Sequence, residues 1–83
     1  MVKMYSLSTC PWCKKMKQFL NEEGIDFEYV DLDVAEEPDK TQAFREMAEL
    51  GLSPAFPITV VDGEPIQGYH PEQVKEAVEA SDA

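Results

Sequence analysis

Cysteine is scarce in this chain: two residues out of 83, beside a single histidine. Two cysteines cannot form the disulfide framework of a small stapled domain, and a pair three positions apart closes too small a loop to brace a fold. Two Cys and one His also fall short of the four ligands of a structural zinc site, so zinc or an iron–sulfur cluster would need a second chain. Basic residues are few as well, 7 against 17 acids, for a net charge of −10. That balance argues against nucleic acid, whose binding rests on neutralising phosphates. It favours protein partners with basic rims. No run of about 20 apolar residues is present to span a membrane. No apolar leader is expected either, because Met1 to Tyr5 lead straight into a strand pattern. Repeats, linkers and low-complexity tracts are missing too. The chain is expected to be one domain, residues 1–83, with a thin core.

What is there is a regular succession of short elements. Residues 2–7 alternate, with Val2, Met4 and Ser6 on one side and Tyr5 and Leu7 on the other, which predicts a central strand covered on both faces. From Pro11 to Glu23 the apolar residues Trp12, Met16, Phe19 and Leu20 form one helical stripe. Pro11 suits the first turn and Gly24 the stop. Residues 25–32 predict a second strand, parallel to the first through a right-handed crossover. After an acidic connection, Pro38 opens a second helix with Phe44, Met47, Ala48 and Leu50 turned inward and Gly51 closing it. Residues 57–61 are a β-branched strand, Asp62-Gly63 a hairpin turn, and residues 64–69 the returning strand. Pro71 starts a last helix with Val74, Ala77 and Val78 inward, and the tail 80–83 is expected to fray. The order β-α-β-α-β-β-α predicts an α/β fold: a four-stranded mixed sheet flanked by helices, the thioredoxin arrangement in minimal form.

The chemistry lies in Cys10-Pro11-Trp12-Cys13, at the junction of the first strand and first helix. A Cys-x-x-Cys there is a thiol–disulfide redox site. The thiolate is the reactive form, and a helix N-terminus stabilises its charge. The second cysteine, one turn on, is placed to attack a mixed disulfide on the first. A pair of inert thiols or half of a metal site is the competing interpretation. Lys14, Lys15 and Lys17 follow the pair; either they are a solvated helix face, or Lys14 or Lys15 helps hold the Cys10 thiolate and steers acidic partners. Thr9 shapes the turn or donates a hydrogen bond near Cys10. Trp12 is an idle exposed ring, a ring packed under a loop, or an apolar contact for a partner peptide. Tyr5 and Phe56 are expected in the core, and His70 at a helix start.

Over nearly its whole length the chain resembles the glutaredoxin family. The resemblance is carried by residues 5–13 (Tyr-Ser-Leu-Ser-Thr-Cys-Pro-Trp-Cys), Phe56-Pro57 before the third strand, Val61-Asp62-Gly63 and Gly68. It implies Cys10 as the attacking thiolate, Cys13 as the resolving thiol, and Pro57 as a cis proline beside them. It implies that the backbone at Phe56 pairs with a bound peptide or glutathione, and it marks Gly68 as a binding-site candidate. The chain departs from glutathione-using members at Leu7, Trp12, Ala55-Phe56-Pro57 and Gln67-Gly68-Tyr69-His70-Pro71. The last segment is similar to the Ser-Gly-Phe-Arg-Pro of thioredoxin-reductase-linked, NrdH-type redoxins that reduce ribonucleotide reductase.

The expected function is therefore that of a cytoplasmic, monomeric thiol–disulfide oxidoreductase. Catalysis is expected at Cys10 and Cys13, with Trp12, Phe56, Pro57, Gly68 and Tyr69 binding substrate and Thr9, Lys14 and Lys15 tuning or steering. No bound cofactor or metal is expected. Electrons would come from glutathione or a reductase and go to disulfide-containing client proteins. The alternatives are a monothiol deglutathionylase using Cys10 alone, and a dimeric zinc or iron–sulfur module.

Overall fold

In a computed structural model, described over residues 1–81, the chain forms seven elements. They are β1 (Val2–Ser6), α1 (Pro11–Glu22), β2 (Glu28–Asp31), α2 (Asp39–Glu49), β3 (Ile58–Val61), β4 (Glu64–Gln67) and α3 (Pro71–Ser81). The sheet order is β2-β1-β3-β4. β1 runs parallel to β2 and antiparallel to β3, and β3 pairs antiparallel with β4. The element order, the parallel β1–β2 pair and the β3–β4 hairpin are those expected from the sequence.

The strand period of two divides the core into two layers. Val2, Met4 and Val61 face α1 and α3, where they meet Cys13, Met16, Leu20 and Val74. Tyr5 and Ile58 face the other way and meet Ala43 and Met47 of α2, with Leu32. A central strand buried on both faces must be apolar on both, which is why Met4 and Tyr5 are adjacent and each almost fully enclosed. Full burial of side chains such as Met16 and Leu20 contributes about 1.5–3 kcal/mol apiece.

The helix stripes differ from expectation. In α1 the inward line is Cys13, Met16 and Leu20, with Phe19 half-buried, and Trp12 is 52% exposed. Positions three and four residues before Met16 compete for one face, and the smaller Cys13 takes it, leaving the indole beyond the helix start. In α2, Ala43 and Met47 point inward while Phe44 (49% exposed), Ala48 and Leu50 are at the surface. The face is turned by Glu46, whose carboxylate takes bonds from Tyr5 Oη (2.6 Å) and Lys3 Nζ (3.1 Å).

Ends also differ. β2 begins at Glu28, and Ile25 and Phe27 pack as loop residues against the α1–α3 layer. β3 begins after Pro57, and β4 ends at Gln67 because Gly68 turns the chain with a φ of 92°. The Asp62-Gly63 turn has both residues at positive φ, 48° and 86°, the geometry of a two-residue hairpin. α2 is entered through a cis Glu37–Pro38 bond with Pro38 as its cap. α3 runs through Ala80 and Ser81, and positions 82 and 83 of the expected frayed tail lie outside the described residues.

Candidate functional site

The turn after β1 delivers Cys10 to the N-cap of α1. Its N–H bonds to Leu7 O (3.1 Å), and its own carbonyl accepts the Lys14 N–H (3.1 Å), the first turn of the helix. Cys10 is the N-cap residue, with extended backbone (φ −83°, ψ 116°), and its Sγ accepts the Cys13 N–H at 3.3 Å. A cap donates stability by pairing an orphan helix N–H; here sulfur holds that place, so any negative charge on it meets both the N–H and the positive end of the helix dipole. Although the chain is rich in acids, the first turn of α1 contains none. Pro11 is at the first helical position, where no N–H is required.

The two cysteines are unlike. Cys10 is partly exposed, and Cys13 is 0% exposed within the α1–α3 layer; both are free thiols. Burial pushes the Cys13 thiol well up, and its hydrogen bond and charge interaction with Cys10 push the same way. Two groups oppose that: the Leu7 N–H and the charge of Lys17.

Beside the pair lies the segment before β3. The Phe56–Pro57 bond is cis, and Pro57 O accepts the Gly68 N–H at 2.7 Å. Gln67 Nε2 donates to Ser53 O (2.7 Å), so the turn after β4 and the loop before β3 are tied at two points. Gly68 needs its positive φ, and a Cβ there would stand 3.2 Å from His70 Nε2. The Trp12 and Tyr69 rings meet at 5.2 Å, tilted 39°, and with Phe56 they line a shallow cleft of about 270 Å³. Larger concavities lie on other faces of the molecule.

The structure thus brings Trp12, Phe56 and Tyr69 together and joins Pro57 to Gly68. Lys15 Nζ sits 4.5 Å over the Trp12 ring. Lys14 and Thr9 are exposed, and among the described residues the Thr9 hydroxyl makes no hydrogen bond to Cys10. The His70 carbonyl accepts the Val74 N–H (3.1 Å), placing this residue at the start of α3. From sequence, Lys17 was placed on a solvated helix face and Ser6 on the first strand, and neither they nor Asp31 were given a role at the site. Lys17 Nζ bonds Asp31 Oδ1 at 2.8 Å, and the buried Ser6 hydroxyl donates to the same oxygen. Ser8 is held in turn by Asp33, through its N–H (2.8 Å) and hydroxyl, which keeps that carboxyl below its ordinary range. The signal available was spacing: Lys17 stands four residues after Cys13, on the same helix face. Among the described residues no group of three or more His, Cys, Asp or Glu side chains converges as a metal site.

A mixed four-stranded sheet with a cysteine pair capping its first helix, beside a cis proline, defines the class: a thioredoxin-fold thiol redox protein. The glutaredoxin family profile matches residues 2–66, and the chain belongs to the glutaredoxin family. It is 37% identical over 79 residues to a glutaredoxin-like 8.6 kDa protein of the rubredoxin operon of Clostridium pasteurianum, covering 95% of this chain and 99% of that one. Among solved structures, Methanosarcina acetivorans methanoredoxin superposes with a TM-score of 0.82 at 42% identity, over 93% of this chain and 82% of that one. The glutaredoxin-like NrdH-redoxin of Escherichia coli shares the fold at 23% identity, with a TM-score of 0.68 over 90% of this chain and 91% of that one.

Proposed function

We propose that this chain is a dithiol reductase of protein disulfides. The Cys10 thiolate attacks one sulfur of a client disulfide; the client S–S bond breaks, and its other sulfur leaves with the electron pair. Cys13, having lost its proton, then attacks Cys10 Sγ. The Cys10–Cys13 bond forms, the mixed disulfide breaks, and the client departs as a second thiolate. The client has gained two electrons and the cysteine pair has lost two, which an outside thiol donor restores. The observation that carries this is the asymmetry of the pair: an accessible sulfur at a helix N-terminus and a buried one directly beneath it.

Trp12, Phe56 and Tyr69 supply an apolar cleft for a side chain flanking the disulfide. The backbone at Phe56 and Pro57 offers strand-like pairing to an extended peptide. Thr9 and Lys14, exposed on either side of the pair in sequence, tune or steer at Cys10, and Lys15 is committed to Trp12. Aromatic walls suit a protein donor better than glutathione, a small ligand with two carboxylates and an ammonium group. We therefore assign the donor as a protein reductase of the thioredoxin-reductase kind. Residues 1–83 act as a single unit, in the cytoplasm and as a monomer, on disulfide proteins and not on nucleic acid.

Oxidised protein mixed with thioredoxin reductase plus NADPH, and separately with glutathione, tests the donor. Fast turnover only with the reductase is expected; fast turnover only with glutathione would overturn that assignment and leave a glutathione-dependent glutaredoxin. Full activity of Cys13→Ser with glutathione would replace the dithiol mechanism by a monothiol one.

A further inference from the structure

The dithiol cycle asks something difficult of Cys13. It must lose a proton in the driest part of the site, since the side chains around it from β1, β3, α1 and α3 (Val2, Met4, Met16, Val61, Val74) are apolar. When Cys10 is tied up in a mixed disulfide its own charge is gone. What then opposes deprotonation is desolvation, and a fixed positive charge is the direct remedy.

Lys17 is such a charge. It lies four residues on, on the face of α1 that carries Cys13, and its side chain is only 20% exposed. Two contacts hold it, and a third holds its partner. Asp31 Oδ1 accepts from its ammonium at 2.8 Å, Tyr29 lies beneath with the ring centroid 4.1 Å away, and the buried Ser6 hydroxyl fixes Asp31 in its turn. A surface lysine is ordinarily a mobile, hydrated charge; this one is clamped between β2 and α1. Lys14 and Lys15 are exposed, and Lys15 is occupied by Trp12.

We propose that Lys17, anchored by Asp31, Ser6 and Tyr29, is a positioning residue that makes Cys13 competent to resolve the mixed disulfide. This rests on the dithiol cycle above. Besides burial, the groups that act on the Cys13 thiol are Cys10 at the cap, a backbone hydrogen bond from Leu7 just after β1 and, most weakly while Cys10 is free, the charge of Lys17 on α1. Asp31 on β2 and Asp33 just beyond it act through Lys17. Tyr69, from the turn before α3, packs against the same layer.

An aromatic disulfide reagent, 5,5′-dithiobis(2-nitrobenzoate), separates the two steps. Attack by Cys10 releases one thionitrobenzoate, and resolution by Cys13 releases the second. Stopped-flow traces across pH give a rate for each. In Lys17→Met and in Lys17→Gln, which keeps a donor for Asp31, the second phase should slow by about threefold near pH 7, with its pH midpoint raised. The first phase should stay within about twofold, and Lys17→Arg should restore the second. An unmoved second-phase profile in folded Lys17→Gln would overturn the proposal. So would equal slowing of both phases, which marks general loss of structure. A wild-type protein releasing only one equivalent would instead defeat the dithiol cycle itself.

Discussion

Cys10 and Cys13 have the same side chain and differ in their surroundings. Burial holds the Cys13 proton, while Cys10 is open to solvent at the head of α1. Iodoacetamide at about pH 7 should therefore label Cys10 in the native protein and leave Cys13 unmodified until denaturant is added, as read by peptide mass spectrometry. Equal labelling would contradict the burial described here. A second residue-scale expectation concerns Tyr5. Its phenol, raised by burial and by its bond to Glu46, holds the Glu46 carboxyl below its ordinary range. A carboxyl depressed in the folded state stabilises above its unfolded pKa, and that contribution disappears as pH falls through the folded value. Tyr5→Phe should cost about 2 kcal/mol near neutrality, the order of a hydrogen bond to a charged partner. Urea unfolding at about pH 3 should find most of that difference gone. Thr59 is the opposite case: its hydroxyl is buried with no partner among the described residues. Thr59→Val should raise stability by about 1 kcal/mol. The sequence announced the cysteines by spacing alone. It gave no role to Glu46 and only a solvated helix face to Lys17, because a charged residue on a helix looks solvated until the strand opposite it is known.

At the scale of elements, the strands were legible because Met4 beside Tyr5 and the β-branched run of β3 fit only a sheet covered on both faces. The helix faces were half legible. Near Met16, periodicity alone leaves Trp12 and Cys13 equally placed, and packing decides between them. In α2, Ala43 is too small to announce the inward face that Phe44 was expected to occupy. The turn after β4 carries the sharpest element-scale test. Gly68 combines a φ of 92° with a bond to Pro57 and a close approach to His70, whereas Gly63 has a φ of 86° and open space. Alanine at either position should cost about 1–2 kcal/mol for the left-handed backbone. Only Gly68→Ala should also slow disulfide reduction, because only that turn holds the loop beside the cysteines. Equal rates for both variants would remove Gly68 from the site.

For the whole molecule, 17 acids and 7 bases make a field that attracts cationic partners. Lys14 and Lys15 stand near the cysteines against that field. A disulfide peptide flanked by lysines should be reduced several-fold faster than one flanked by glutamates at low ionic strength, with the gap closing as salt is added. The reverse order would place the two lysines in control of encounter. Charge and fold class were both readable from composition and element order, whereas the cis Phe56–Pro57 bond was anticipated only by the family resemblance. The central claim remains the exchange of disulfides through a working pair. Its most direct test is mass spectrometry of Cys13→Ser after mixing with a disulfide peptide. The account predicts a stoichiometric Cys10–peptide mixed disulfide that persists, while the wild type passes on to an internal Cys10–Cys13 bond and free peptide thiols. No adduct on Cys10, or an adduct that persists equally in the wild type, would contradict it.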